Sequence, residues 1–166
     1  MRRAIPPVMA LLLAACAQPG AGGADPAAGA PGPDALLPVV RVVDGDTLWV
    51  LRDGREENVR LIGVDTPEVD WYGGEAECYG EEAGRFARRL LEDERVRLEL
   101  DRDPLDPYER TLAYVYLEDG RMVNLLLVRR GYAIVSTYEP NDRYEDRLRD
   151  AEAQARAAGL GLWSAC

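Results

Sequence analysis

The sequence predicts an α+β domain, mainly β: a five-stranded OB-type barrel carrying three helices. Short runs of β-branched and aromatic residues recur between turn residues, and three further stretches show helical spacing. The region from Val39 to Cys166 has the length of one ordinary domain, without an internal repeat. Val39-Val40-Arg41-Val42-Val43 and Leu48-Trp49-Val50-Leu51 read as the first two strands, and Asp53-Gly54 as the next hairpin turn. Asn58 to Val64 is a third strand. Val96, Leu98 and Leu100 alternate with charges in a fourth, and Leu112 to Leu117 forms a fifth that closes at Asp119-Gly120. Ala83, Phe86, Ala87 and Leu90 make one helical stripe. A short helix from about Met122 stops at Gly131, a residue suited to the left-handed conformation at helix ends. Tyr144, Leu148, Ala151 and Ala155 mark a third helix, with Asn141 or Asp142 as its cap. Five strands with helices inserted or appended fit a small Greek-key barrel.

The amino end reads as a processing signal. Arg2-Arg3 is a positive start, and the apolar run Ala4 to Ala15 is too short for a bilayer-spanning helix of ~20 residues. It ends in Leu13-Ala14-Ala15-Cys16, which looks like a lipobox. An ordinary signal peptide with an incidental cysteine is the alternative. The organisation expected is a signal peptide over 1–15, an acylated Cys16 with an Ala/Gly/Pro tether over 16–38, and a folded domain over 39–166. A lipid on Cys16 would hold the protein to the extracytoplasmic face of a bacterial membrane, given more than one acyl chain.

Composition narrows the chemistry. The chain has no histidine, and all 20 of its basic residues are arginines. Histidine bases, Ser-His and Cys-His triads and lysine Schiff bases are thereby excluded. Carboxylate, arginine, tyrosine and a metal remain. Asp44-Gly45-Asp46-Thr47, Arg60-Leu61-Ile62-Gly63-Val64-Asp65-Thr66-Pro67-Glu68 and Asp106-Pro107-Tyr108-Glu109-Arg110 place acids at strand ends, with arginines near them. Carboxylates gather a hard cation and guanidinium forks grip phosphate oxygens, which points to metal-assisted attack on a phosphodiester. Asp44-Gly45 taken alone reads as a turn, like the two other Asp-Gly pairs of the chain. Glu68 is placed to accept a proton from an attacking water or to orient that water. Arg60 and Asp65 are five residues apart, which puts them on opposite faces of a flat strand, so a bulge or strong barrel coiling near Gly63 is needed to join them. Tyr108 and Tyr138 are candidates to flank a nucleotide, because base–aromatic stacking tolerates any base.

These motifs, with Leu112-Ala113-Tyr114-Val115-Tyr116, Met122-Val123-Asn124, Glu139-Pro140-Asn141 and Leu162-Trp163-Ser164, resemble the staphylococcal nuclease (thermonuclease) family from about Val39 to Trp163. The resemblance implies a monomeric Ca²⁺-dependent nuclease acting on DNA and RNA, preferably single-stranded, and leaving 5′-hydroxyl and 3′-phosphate ends. It implies that Asp46 and Asp65 donate side-chain oxygens to the metal and Thr66 its backbone carbonyl, while Asp44 and Glu68 act through metal-bound water. Three direct ligands leave most of a Ca²⁺ shell to water, so affinity on the order of 10⁻⁴–10⁻³ M is expected. Arg60 and Arg110 would clamp the reacting phosphate. Pro107 stands where the family pattern often has lysine, Glu109 where it has glycine, and Ser136 where it has tyrosine. Those departures bear on nucleotide affinity more than on reaction type.

The formal charge of −10, or −12 once Arg2 and Arg3 leave with the leader, is unusual for a protein that binds nucleic acid. A local pocket of arginine and metal on an acidic body reconciles the two. A lipid-tethered OB module that binds without turnover is the alternative function. With Cys16 assigned to lipid, Cys78 and Cys166 form the expected disulfide of an exported protein, two free thiols being the other possibility. Such a bridge, remote in sequence from the acidic motifs, is expected to serve stability and not chemistry.

Overall fold

A computed structural model describes residues 35–69 and 76–166. The expected leader, Cys16 and the tether as far as residue 34 lie outside the described residues. In chain order the elements are β1 (Leu37–Val42), β2 (Thr47–Arg52), β3 (Arg55–Leu61), β4 (Gly63–Asp65), α1 (Gly80–Leu91), β5 (Arg95–Leu105), β6 (Thr111–Leu117), α2 (Val123–Arg129), β7 (Ile134–Ser136), α3 (Glu145–Ala157) and the single-turn α4 (Leu162–Ala165). Five strands close a barrel in the order β1-β2-β3-β6-β5, while β4 and β7 form a separate pair. The β3–β6 contact is parallel and the other barrel pairs are antiparallel. This is the mainly β, OB-type barrel with three helices that the pattern predicts, to which the structure adds the single turn α4.

Local chemistry explains most boundaries. Asp53 and Gly54 both have positive φ, 51° and 75°, as the tight turn that matches strand twist requires. Alternating residues Val96 and Leu98 of β5 point inward with Val50, Val59, Leu61, Ala113 and Val115 from the other strands. The helices cap this core through Ala87 and Leu91 of α1, Val123 and Leu127 of α2, and Leu148 and Ala151 of α3. Gly131 follows α2 at φ 71°, with Tyr132 N–H reaching back to the Leu127 carbonyl at 2.9 Å.

Three readings change. The barrel begins at Leu37, whose buried side chain joins the core ahead of Val39. The third strand is broken: β3 ends at Leu61, the chain turns at Gly63 (φ 75°), and β4 leaves the barrel to pair with β7. The stretch forming β7 is too short to show periodicity. Neither Asn141 nor Asp142 caps α3 through its side chain; Tyr144 occupies the cap position, and Asp142 supplies only its carbonyl to Glu145 N–H at 3.0 Å. Asn141 is buried because its amide pairs with both backbone groups of Asp103, accepting at 2.8 Å and donating at 2.8 Å.

The break after β3 is held by Asn124, which is fully buried. Its oxygen accepts from Val115 N–H at 2.9 Å, and its amide donates to the Ile62 carbonyl at 2.8 Å. Asn124→Ala leaves those buried groups without partners, each worth roughly 1–3 kcal/mol. A loss of about 2–4 kcal/mol in urea unfolding is expected; a change under about 0.5 kcal/mol, the range of surface substitutions, would contradict the clamp.

Candidate active site

The site grows from the pairing of β2 with β3. Thr47 lies opposite Arg60, and Leu61 N–H donates to the Asp46 carbonyl at 2.9 Å, so Asp46 and Arg60 leave the barrel side by side. Gly45 lets the Asp44–Asp46 bend dock closely: a Cβ there would lie 2.6 Å from the Thr66 side chain. Asp46 is 1% exposed. Its Oδ2 accepts from Thr66 N–H at 2.8 Å and from Thr66 Oγ1 at 3.0 Å; its Oδ1 accepts from Thr47 Oγ1 at 3.2 Å and from Arg60 Nη1. The turn at Gly63 brings Asp65 back to the same guanidinium, with Arg60 Nη2 to Asp65 Oδ1 at 2.6 Å. The five-residue offset is resolved by this turn and strand break at Gly63 in place of a bulge within one continuous strand. The positive φ at Gly63 is what calls for glycine; a Cβ there would also sit 2.7 Å from Leu148 Cδ1 and oblige that side chain to shift.

Asp44 accepts from Asp46 N–H at 3.0 Å. Burial raises its pKa, against the opposing pull of Arg60, hydrogen bonds from Thr47, and Arg110. Glu68 is exposed, yet partial desolvation first, then the charge of Asp44, raises its pKa, with Arg60 pulling the other way and Asp65 and Glu77 adding to the rise. Asp44, Glu68 and Arg60 thus share one electrostatic environment.

Arg110 comes from the turn between β5 and β6. Asp106 organises that turn: its Oδ1 accepts from Tyr108 N–H at 2.8 Å and Arg110 N–H at 2.9 Å, and its Oδ2 takes Arg110 Nε at 2.5 Å. Glu109 adopts φ 64°, which explains why glycine suits this position in the family pattern. Burial alone would raise the Asp106 pKa, but the hydrogen bonds from Arg110 and Tyr108 outweigh it and hold the carboxyl below its ordinary value. A folded pKa below the unfolded value, about 3.9 for aspartate, stabilises the fold above that value and ceases to do so as pH falls through the folded pKa. The stability difference between the parent and Asp106→Asn is therefore expected to be full at pH 6 and to shrink below about pH 4. Urea midpoints that differ equally at every pH would contradict this.

A groove of about 470 Å³ gathers Arg60, Arg110, Tyr108, Tyr138 and Ser136. Tyr108 is 80% exposed and Tyr138 78%, and both line it. A second cavity of about 270 Å³ is lined by Asp65, Thr66, Pro67, Glu77, Cys78 and Cys166. The Cys78–Cys166 disulfide is formed, with Cα atoms 6.0 Å apart. It shares this cavity with the acidic residues, so its remoteness is one of sequence and not of space. Sequence reasoning gave no role to Asn124, Asp106 or Glu77. Among the described residues no group of three acidic or cysteine side chains is placed to hold an ion.

Residues 58–165 match the family model described as Staphylococcal nuclease homologue, a span from β3 to α4. The chain belongs to the staphylococcal nuclease family. A thermonuclease of Staphylococcus intermedius is 46% identical over 125 residues, 75% of this chain and 74% of the relative. A thermonuclease of Staphylococcus hyicus is 44% identical, over 76% of this chain and 74% of the relative. The endonuclease YncB of Bacillus subtilis is 40% identical, over 75% of this chain and 59% of the relative. With this family's fold, the chain is a hydrolase of nuclease type whose substrates are nucleic acids. Of the two functions the sequence left open, the comparisons favour the enzyme over the binding module.

Proposed function

We propose that this nuclease requires Ca²⁺, cleaves DNA and RNA with a preference for single strands, and leaves 5′-hydroxyl and 3′-phosphate ends. The observation that carries the reading is the convergence of Asp46 and Asp65 on one cationic group, Arg60, at the edge of a groove holding Arg110 and two exposed tyrosines. The donor set fits Ca²⁺: two carboxylates already directed at positive charge and the carbonyl of Thr66, which follows Asp65 in sequence, all hard oxygens, with no imidazole in the chain. With only two carboxylates, weak affinity is expected. When bound, the ion supplies Lewis-acid stabilisation of charge on the phosphate.

The chain's own residues do the rest. Tyr108 and Tyr138 offer faces on which successive bases stack, which requires unpaired strands and tolerates any sequence. Arg60 and Arg110 donate to non-bridging oxygens, and the charge they stabilise grows as water adds to phosphorus. Glu68 accepts a proton from that water or orients it; as the water oxygen bonds to phosphorus the P–O5′ bond breaks, and O5′ takes a proton from solvent and leaves as the hydroxyl. The groove supplies positive charge locally, on a chain of formal charge −10. The enzyme acts as a monomer at the extracytoplasmic face of a bacterial membrane, tethered through lipid on Cys16.

Product ends test the reading. Fragments of a single-stranded oligonucleotide are expected to resist extension by a polymerase until a phosphatase removes their 3′-phosphate. Fragments that extend without phosphatase would show 3′-hydroxyl ends and contradict it.

A further inference from the structure

Glu68 is gripped through its backbone. Its N–H donates to the Glu77 carboxylate, Oε2, at 3.0 Å, and its carbonyl accepts from Glu77 N–H at 3.0 Å. One residue therefore occupies both backbone polar groups of Glu68. Gly80, the first residue of α1, packs on the same peptide: a Cβ there would overlap the Glu68 carbonyl oxygen and lie 3.1 Å from that of Pro67. Three contacts from the Glu77–Gly80 run thus converge on the segment that follows Asp65 and Thr66.

Between Glu77 and Gly80 sits Cys78, bonded to Cys166 at the end of α4. That carboxyl end is itself seated. Leu162 N–H donates to the Gly131 carbonyl at 2.8 Å, and Gly131 and Gly161 approach so closely that a Cβ on either would overlap the opposing backbone. A mechanical route runs from the end of α2 through α4, Cys166 and Cys78 to Glu77, and so to Glu68. Glu77, Cys78 and Cys166 are all exposed. Hydrogen bonds at such a position compete with water and open readily unless the segment carrying them is anchored.

We propose that Glu77 is a positioning residue for Glu68, and that the Cys78–Cys166 disulfide holds Glu77 in place, so that turnover depends on the oxidation state of the bridge. The inference rests on the role given to Glu68 above. The redox step is thiol–disulfide exchange. A dithiol such as dithiothreitol gives up two electrons and two protons and closes to its own disulfide. The Cys78–Cys166 bond breaks to two thiols. The freed segment then lets the Glu68 backbone drift, and displacements of about 1 Å near reacting groups cost on the order of 10²-fold in rate.

The test measures kcat and KM of the full chain on heat-denatured DNA with Ca²⁺, for the parent, Glu77→Ala, Glu77→Gln, Glu68→Ala and the double variant Cys78→Ser/Cys166→Ser. Near-UV circular dichroism at the assay temperature reports the fold. Glu77→Ala is expected to lower kcat about 10- to 100-fold with KM nearly unchanged. Glu77→Gln, whose amide oxygen accepts the same Glu68 N–H, should retain kcat within a few-fold. Dithiothreitol should lower kcat about tenfold in the parent and leave the double-cysteine variant, already slow, unaffected. A folded Glu77→Ala that turns over at the parental rate while Glu68→Ala is inactive overturns the inference and leaves the role of Glu68 standing. Equal losses in Glu77→Ala and Glu77→Gln would assign the effect to charge and also overturn it. Parental turnover by Glu68→Ala would instead remove the reading on which the inference rests. Because the Glu77 variants keep the bridge intact, they decide the role of Glu77 even if reduction unfolds the chain, and parental turnover by a folded Cys78→Ser/Cys166→Ser variant overturns the role given to the bridge.

Discussion

Arg60→Ala and Arg110→Ala are each expected to lower kcat by about 10²–10³, the typical cost of removing one donor aimed at developing negative charge. Their structural consequences should differ. Arg110 is tied to Asp106, which keeps its backbone contacts to Tyr108 and to residue 110 when the guanidinium is gone. Arg110→Ala should therefore fold like the parent. Arg60 neutralises both Asp46, which is almost fully buried, and Asp65. Removing it leaves a buried carboxylate without its main counter-charge, so Arg60→Ala should also be less stable, by roughly 1–3 kcal/mol. Single-turnover cleavage with saturating substrate, beside urea unfolding, separates the two effects. A parental rate in either folded variant would contradict the phosphate-clamp assignment.

The second large effect is expected at Asp46. Asp46→Asn changes only charge and hydrogen-bonding pattern, at a side chain whose oxygens accept from Thr47, Thr66 and Arg60. Whichever way the amide turns, its NH₂ faces donors. A stability loss of roughly 1–3 kcal/mol is expected from that mismatch. The metal site loses its most buried carboxylate, so Ca²⁺ affinity, already weak, should fall at least about tenfold, and cleavage by orders of magnitude. Calorimetric titration of Ca²⁺ with a nucleotide present checks the first, and a rate measured across Ca²⁺ concentration checks the second. Undiminished activity at the parental Ca²⁺ requirement would remove Asp46 from the metal site.

The barrel was legible because β1, β2, β5 and β6 announce themselves by alternation and turn residues, which act locally. The acidic site was legible as a motif but not as a shape. Whether Arg60 meets Asp65 depends on a turn at Gly63, and that turn is held by Asn124 from α2 and crowded by Leu148 from α3. Neither partner is near in sequence. Asn141 illustrates the opposite error: a polar residue just ahead of a helix resembles a cap, yet its amide serves Asp103 on β5. The role of Asp106 was within reach, since its bonds to Tyr108 and Arg110 span two and four residues. The grip of Glu77 on Glu68 links residues nine apart through backbone atoms, and no periodicity or motif reports such a contact.

The central claim is that Asp46, Asp65 and Thr66 bring a divalent cation to the arginine-lined groove and that cleavage depends on it. The direct measurement is hydrolysis of heat-denatured DNA by the full chain, with Ca²⁺ at millimolar concentration and with excess chelator. Cleavage in Ca²⁺, its loss in chelator and its recovery when Ca²⁺ is restored are the predicted results. Undiminished cleavage in excess chelator would contradict the claim.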